Sequence, residues 1–214
     1  MAQLPPIHVE TVSLSNRNAR ADHIVRRYGK ALTGRVLDVG CDMKRIKKLR
    51  PELDYLGIDI GGEPDMQVDL QAAGKLPFDD KSFDTIVCTD VLEHLDNLHQ
   101  IFAELVRVSR GKVVLSLPNC WYTFRQPIRK GRGEIRHYGL PAEPPADRHR
   151  WVFNVEDIAR FLTDKQDPLG YRIAEMSASV NPGAKNTLRR FIWPKRAFLN
   201  RYAHTLWAVL DTSG

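Results

Sequence analysis

Five acids stand where short apolar runs end: Asp38 and Asp42 around RVLDVGCD, Asp59 in YLGIDI, Asp69 in MQVDL and Asp90 after FDTIVCT. In an open parallel sheet the ligand crevice lies beyond the carboxyl ends of the strands, where strand order reverses. These acids therefore hold the positions that can do chemistry. An acid about 20 residues after a first strand has a defined use, because two carboxylate oxygens can accept both ribose hydroxyls of a nucleoside. Asp59 lies 21 residues beyond Asp38. The turn after the first strand reads GCDMKR, so only Gly40 remains of a G-x-G-x-x-G pattern. A dinucleotide needs that full pattern to seat its pyrophosphate on a helix N-terminus. An adenosine cofactor without phosphate, bearing a sulfonium and an ammonium, suits an acid-rich crevice better. The residues favour S-adenosylmethionine.

The elements that must position these acids are short apolar runs alternating with helices. Arg35–Gly40, Tyr55–Ile60, Met66–Leu70, Phe83–Cys88 and Lys112–Leu117 read as strands, and their near-continuous apolar character suits a sheet buried on both faces. Residues 15–32 read as a helix capped by Ser15, Lys44–Arg50 as a short basic helix, and Asn97–Arg110 as a helix capped by Asp96. Such alternation predicts an α/β fold, a doubly wound and mainly parallel sheet sandwiched by helices. Residues 1–14 read as an arm and 120–150 as a long irregular stretch rich in Pro, Arg, Gly and aromatics. Asn154 is a helix cap, and Tyr171–Val180 a late strand. Residues 187–210 read as helix interrupted at Pro194, which leaves a final antiparallel strand unassigned. The expected organisation is an N-terminal arm and helix (1–33), a cofactor-binding domain (34–180) with a lid-like insertion at 120–150, and a basic amphipathic segment (181–214).

RVLDVGC, GIDI, DLQAAGKLPFDDKSFDTIVCTDVLEHL and VVLSLPN together resemble the class I S-adenosylmethionine-dependent methyltransferases, in their small-molecule branch. The motifs cover roughly residues 34–119, and RHRWVFNVEDIARFL is similar to the segment that follows the fifth strand in that branch. The resemblance implies a Rossmann-like fold and methyl transfer. It would set Asp38, Gly40 and Cys41 against the methionine part of the cofactor, Asp59 on the ribose and Ile60 on the adenine. Asp69 would accept from the adenine amino group with Leu70 beside it, and Thr89 would line the floor near the sulfonium. The sequence departs from the family's G-C-G-x-G turn at Asp42 and Lys44. Asp tolerates a left-handed backbone better than most residues, whereas Lys44 adds a side chain where helix and strand pack closely.

In-line methyl transfer needs positioning more than it needs a metal, and no metal is expected. An oxygen nucleophile gains from a base with a pKa near 7, which makes His94 and His149 the candidate catalytic residues. The lid stretch interleaves Trp121, Tyr122, Phe124 and Tyr138 with Arg125, Arg129, Arg132 and Arg136, a composition able to stack on rings and clamp carboxylates or phosphates.

Composition sets the outer bounds. The chain has 214 residues, 43% hydrophobic and 27% charged, which is ordinary for a globular domain. Its net charge of +6 is uneven: residues 1–120 carry 16 basic and 17 acidic side chains, residues 121–214 carry 16 and 9. That asymmetry fits a small-molecule acceptor, anionic or carried on a glycosyl or nucleotide group. It is also compatible with a peripheral membrane contact through 187–210 or with a homodimer, and nucleic acid is a weaker fit. Three widely spaced cysteines and the lack of a signal-like N-terminus lead to the expectation of a cytoplasmic protein. The rival expectations are a non-catalytic binding protein on the same scaffold and an RNA methyltransferase.

Overall fold

The structure is a computed structural model that describes residues 4–145 and 147–214. Eight strands form one sheet: β1 (Ile7–Thr11), β2 (Arg35–Val39), β3 (Asp54–Asp59), β4 (Met66–Gln67), β5 (Phe83–Thr89), β6 (Ser109–Pro118), β7 (Arg172–Val180) and β8 (Ala203–Asp211). Their order is β1-β7-β8-β6-β5-β2-β3-β4. Every neighbouring pair is parallel except those of β8, which runs antiparallel to both β6 and β7. From β2 the chain builds outward to β3 and β4, then returns to lay β5 and β6 on the other side. The order thus reverses between β2 and β5, and the crevice outside their carboxyl ends is where a ligand belongs.

The sheet is covered on both faces because its strands alternate between two cores. In β2, Leu37 and Val39 enter the larger core with α3 (Leu98–Val108) and α5 (Val155–Asp164), while Val36 enters a second core with α1 (Arg17–Tyr28) and α2 (Arg45–Leu49). α3 buries Leu98, Ile101, Phe102, Leu105 and Val106 at helical spacing. Phe102 is fully buried against Phe161, with ring centroids 4.9 Å apart; truncating such a ring to Ala typically costs about 3–5 kcal/mol. On the other face Tyr28 stacks on Trp207 at 5.5 Å, and the buried Trp207 Nε1 donates to Ser179 Oγ at 3.0 Å.

The α/β sandwich and its five central strands agree with the sequence reading; the ends of the chain do not. Residues 7–11, expected as arm, extend the sheet by pairing with β7. Asn16 rather than Ser15 caps α1, accepting from Ala19 N at 2.9 Å. Asp96 does not cap α3, whose boundary residue Asn97 makes no side-chain cap either and instead donates to Leu70 O. The stretch 120–150 opens with α4 (Cys120–Lys130), started by Asn119 and ended by Gly131 in the left-handed region. Asn119 is fully buried and donates to Asn200 O and Ala203 O at 2.8 and 2.7 Å, which ties the end of β6 to the last strand. α5 does begin at Asn154, with a complete capping box to Asp157, and is followed by the four-residue α6 (Gln166–Leu169).

The largest correction concerns 187–210, which is not continuous helix. α7 (Ala184–Ile192) and α8 (Lys195–Tyr202) are followed by β8, so Leu206 and Trp207 lie inside the sheet rather than on an amphipathic face. The physical reason is local: α8 passes directly into β8 at Ala203 with no Gly or Pro between them, and the apolar spacing carries across the junction. Among the described residues no helix is long and apolar enough to cross a membrane.

Candidate functional site

The turn after β2 lies at the switch point and is tightly constrained. Gly40, Asp42 and Lys44 all have positive φ, at 80, 48 and 51°. At Gly40 a side chain is excluded outright, since a Cβ would lie 2.3 Å from Val91 Cγ2. Asp42 holds the conformation with help from Asp59, whose Oδ2 accepts from Asp42 N at 2.8 Å while Oδ1 accepts from Ile60 N at 2.7 Å. Lys44 does not crowd the helix–strand contact. Its ammonium swings out to Asp65 at 2.6 Å, and Asp65 in turn accepts from Gly57 N at 2.8 Å.

Beneath this turn lies a crevice of about 180 Å³ lined by Asp38, Gly40, Cys41, Asp42, Thr89 and Asp90 from the strand ends, with Arg17 and Arg20 from α1. Asp38 is 5% exposed and accepts from Tyr55 OH at 2.6 Å. Burial pushes its pKa up to about 7, with the charge of Asp59 adding to the rise. The Cys41 thiol is pushed up to about 12 by burial and by the nearby acids, so it is not a nucleophile at neutral pH. Arg17 pairs with Asp42 at 3.0 Å and Arg20 pairs with Asp90. The Arg20 Nε is buried without a partner.

A second cluster follows four residues beyond Thr89. A 3₁₀ turn (Leu92–His94) presents Glu93 and His94, and the irregular chain after α4 brings His137, Tyr138 and His149 against them. His94 and His149 meet edge to face with centroids 4.6 Å apart, and His137 stacks on His149 at 4.6 Å. One backbone bond and one from a side chain hold the two segments together: Arg150 N donates to Glu93 O at 2.8 Å, and the Trp151 indole Nε1 to Leu95 O at 2.7 Å. His149 Nδ1 lies 3.0 Å from Tyr138 OH, which donates to Trp151 O at 3.1 Å. Burial pulls the His149 pKa down to about 3, with His94 and His137 adding repulsion; burial likewise lowers His94. Both rings are therefore neutral at pH 7. Glu93 is 1% exposed, and its Oε2 has no partner.

A third feature lies on the far side of α4. A groove of about 1080 Å³ runs between α4, α7 and α8. Arg125 lies over Tyr202 at 4.6 Å and Arg189 over the same ring at 4.7 Å, while Arg201 covers Trp193 at 4.7 Å. Burial lowers the Arg125 pKa, and its Nε is buried without a partner.

Residues 31–116 match a family model described as a methyltransferase domain. The central part of the chain is thus similar to methyltransferase domains. No curated protein matches the sequence. Among solved structures, the fold is similar to a SAM-dependent methyltransferase from Archaeoglobus fulgidus (TM-score 0.58, 16% identical, covering 92% of this chain and 95% of that one). It is also similar to magnesium protoporphyrin IX methyltransferase from Synechocystis PCC 6803, solved with bound SAH (TM-score 0.53, 18% identical, 91% and 82% covered). A [4+2]-cyclase, SpnF, shares the fold at a TM-score of 0.54 and 13% identity, covering 91% of this chain and 80% of that one. Similarity at such identities speaks for the fold alone, and the reaction has to be argued from the site.

Of the residues expected at the cofactor, the fold brings Asp38, Gly40, Cys41 and Thr89 into one crevice, with Asp59 at its edge fixing the turn. Ile60 lies outside it and is 61% exposed. Asp69 caps a turn, accepting from Gln71 N at 2.9 Å, and Leu70 is buried in the larger core; neither lines the crevice. His94 and His149, distant in sequence, do come together. Sequence reasoning gave no role to Arg17 and Arg20, because α1 carries no motif and its register over the crevice is set by packing. It also assigned no role to Glu93, which stands beside His94 just after a strand end.

Proposed function

We propose that the protein transfers a methyl group from S-adenosylmethionine to an anionic small-molecule acceptor. The observation that carries this reading is the turn after β2. Two glycine positions of the family pattern are occupied by Asp42 and Lys44, yet both residues keep the left-handed backbone, and Asp59 still bonds to the turn. The donor set also fits a zwitterionic cofactor. Arg20 Nε lacks a partner and can take a carboxylate, whereas Asp38 and Asp90 suit an ammonium and a sulfonium. When bound, the cofactor supplies a methyl carbon already activated by sulfonium. The chain's own work is to hold that carbon and the acceptor in line.

Next to the crevice, His94 and His149 are the residues assigned to the acceptor. Their depressed basicity makes them poor proton acceptors at pH 7 but good neutral hydrogen-bond or ligand groups. The groove of Arg125, Arg189 and Arg201 favours an anionic acceptor, phosphorylated or nucleotide-linked, and the exposed Leu188, Phe191 and Ile192 on α7 extend the rim with apolar surface. α4 joins the two regions, since Cys120 and Phe124 contact Tyr138 while Trp121 and Arg125 line the groove.

One observation favours a second reading, a non-catalytic binding protein. The two Arg–Asp pairs of α1 span a crevice smaller than the roughly 300 Å³ at which ligand pockets usually begin. Thermal unfolding with and without S-adenosylhomocysteine separates the readings. Ligand at 100 times its Kd should stabilise the wild-type protein by about 2.7 kcal/mol. Asp59→Ala should remain folded and lose that gain; equal stabilisation of the variant would overturn the site assignment.

A further inference from the structure

Spacing alone gave no reason to expect a metal, yet the fold gathers three donors that no cofactor contact accounts for. One donor atom each from Glu93, His94 and His149 lies within 4.8 Å of the others. The geometry points to a divalent transition-metal site at Glu93, His94 and His149, open toward the acceptor. Two histidines and one carboxylate form a ligand set suited to Zn²⁺ or Fe²⁺, with positions left over for substrate.

Three features distinguish this from a chance cluster. The Glu93 carboxylate is buried with one oxygen unpartnered, which is costly unless something is there to receive it. The outward side of each imidazole is held: His149 Nδ1 by Tyr138 OH at 3.0 Å, and the His94 ring by the backbone of Arg148. Metal-bound histidines are typically oriented by such bonds, which fix the tautomer that leaves the inner nitrogen's lone pair free. Finally, the segments that carry the donors are stapled by the Arg150–Glu93 and Trp151–Leu95 bonds, so the set is built before any ion arrives. His94 Nε2 and Glu93 Oε1 are 3.9 Å apart. Bonds of about 2.0–2.2 Å to a shared ion need the donors, which lie within 4.8 Å of one another, to close to roughly 3–3.5 Å. Both histidines are partly exposed, so the open positions are reachable from outside.

The role of the ion rests on the methyltransferase reading: it would bind an acceptor hydroxyl at an open position and make it more acidic. In that step the hydroxyl gives its proton to solvent and its oxygen lone pair forms the bond to the methyl carbon. The carbon–sulfur bond breaks with its electron pair left on sulfur, so the products are a methyl ether, a thioether and one proton.

The test uses chelator-treated protein titrated with Zn²⁺ and, for its visible spectrum, with Co²⁺. One ion per chain is expected, at micromolar Kd or tighter. Affinity should fall by roughly 100-fold or more in His149→Ala and in Glu93→Gln, and stay unchanged in His99→Ala. His149→Ala, at a partly exposed position, keeps the test alive if the buried Glu93 variant fails to fold. Absence of stoichiometric binding, or binding indifferent to His149→Ala, would overturn the site. S-adenosylhomocysteine affinity, measured on the same samples, should not change in His149→Ala. Metal binding without cofactor binding would retain the metal site and remove the methyltransferase reading.

Discussion

The crevice at the ends of β2 and β5 and the cluster at Glu93, His94 and His149 sit a few residues apart in the chain, yet they are built in opposite ways. The crevice is made mostly by residues whose position follows from the sheet: Asp38, Gly40, Thr89 and Asp90 stand where parallel strands end. The cluster draws His149 from a segment 55 residues beyond His94 and depends on backbone bonds that no periodicity announces. Their electrostatics also differ. The crevice sets Asp38, Asp42 and Asp90 against Arg17, Arg20 and Arg45, a balance suited to a zwitterionic ligand, whereas the cluster holds neutral imidazoles beside one buried carboxylate. A crevice at strand ends can thus follow from topology while a cluster next to it is set by loop packing, which is how one fold comes to host many reactions.

The sharpest way to test the contrast is through the buried acid of the crevice. Asp38 has a folded pKa of about 7, well above its unfolded value. Its protonated form is favoured by folding, so the contribution is intact below about pH 4 and is lost as pH rises through 7. Asp38→Asn should remove that loss. Relative to the variant, the wild type should weaken by up to roughly 4 kcal/mol between pH 4 and pH 8 in denaturant titrations. Exposed pairs push the other way, as Asp84 does with its pKa lowered to about 2 by Arg110, so the difference between the two proteins is the quantity to read. Identical pH profiles would mean that Asp38 is not held in a low-dielectric crevice.

A smaller effect sharpens the acceptor side. Arg125→Ala removes a guanidinium that lines the groove but touches neither the crevice nor the cluster. Once an anionic acceptor is in hand, the variant should raise KM roughly tenfold with kcat little changed, as expected for a lost charge-assisted contact. A fall in kcat at constant KM would place the groove's role in positioning the reaction rather than in binding.

The central sheet was legible in the sequence because five apolar runs with acids at their ends leave few alternatives. Its edges were not. The five residues of β1 carry no distinctive pattern, and their pairing with β7 joins positions 7–11 to 176–180. β8 was hidden because the apolar spacing of α8 continues into it without a break. The acids at 38 and 59 were readable from spacing as strand-end residues beside the turn, whereas the place of Asp69 in a turn and of Leu70 in the core follows from packing. Lys44 looked like an obstruction and is accommodated by Asp65, a partner that the turn sequence does not reveal. Glu93 was visible as a residue, though its burial beside two distant imidazoles is a property of the folded chain alone.

Isothermal titration of the wild-type protein with S-adenosylmethionine and S-adenosylhomocysteine tests the central claim most directly, that this crevice holds an adenosine cofactor despite Asp42 and Lys44. The account predicts one site per chain at micromolar affinity, with α1 giving up its Arg20–Asp90 pairing to receive the ligand. No heat at millimolar ligand from a sample that is folded by circular dichroism would contradict it, and would leave a methyltransferase scaffold with its cofactor site closed.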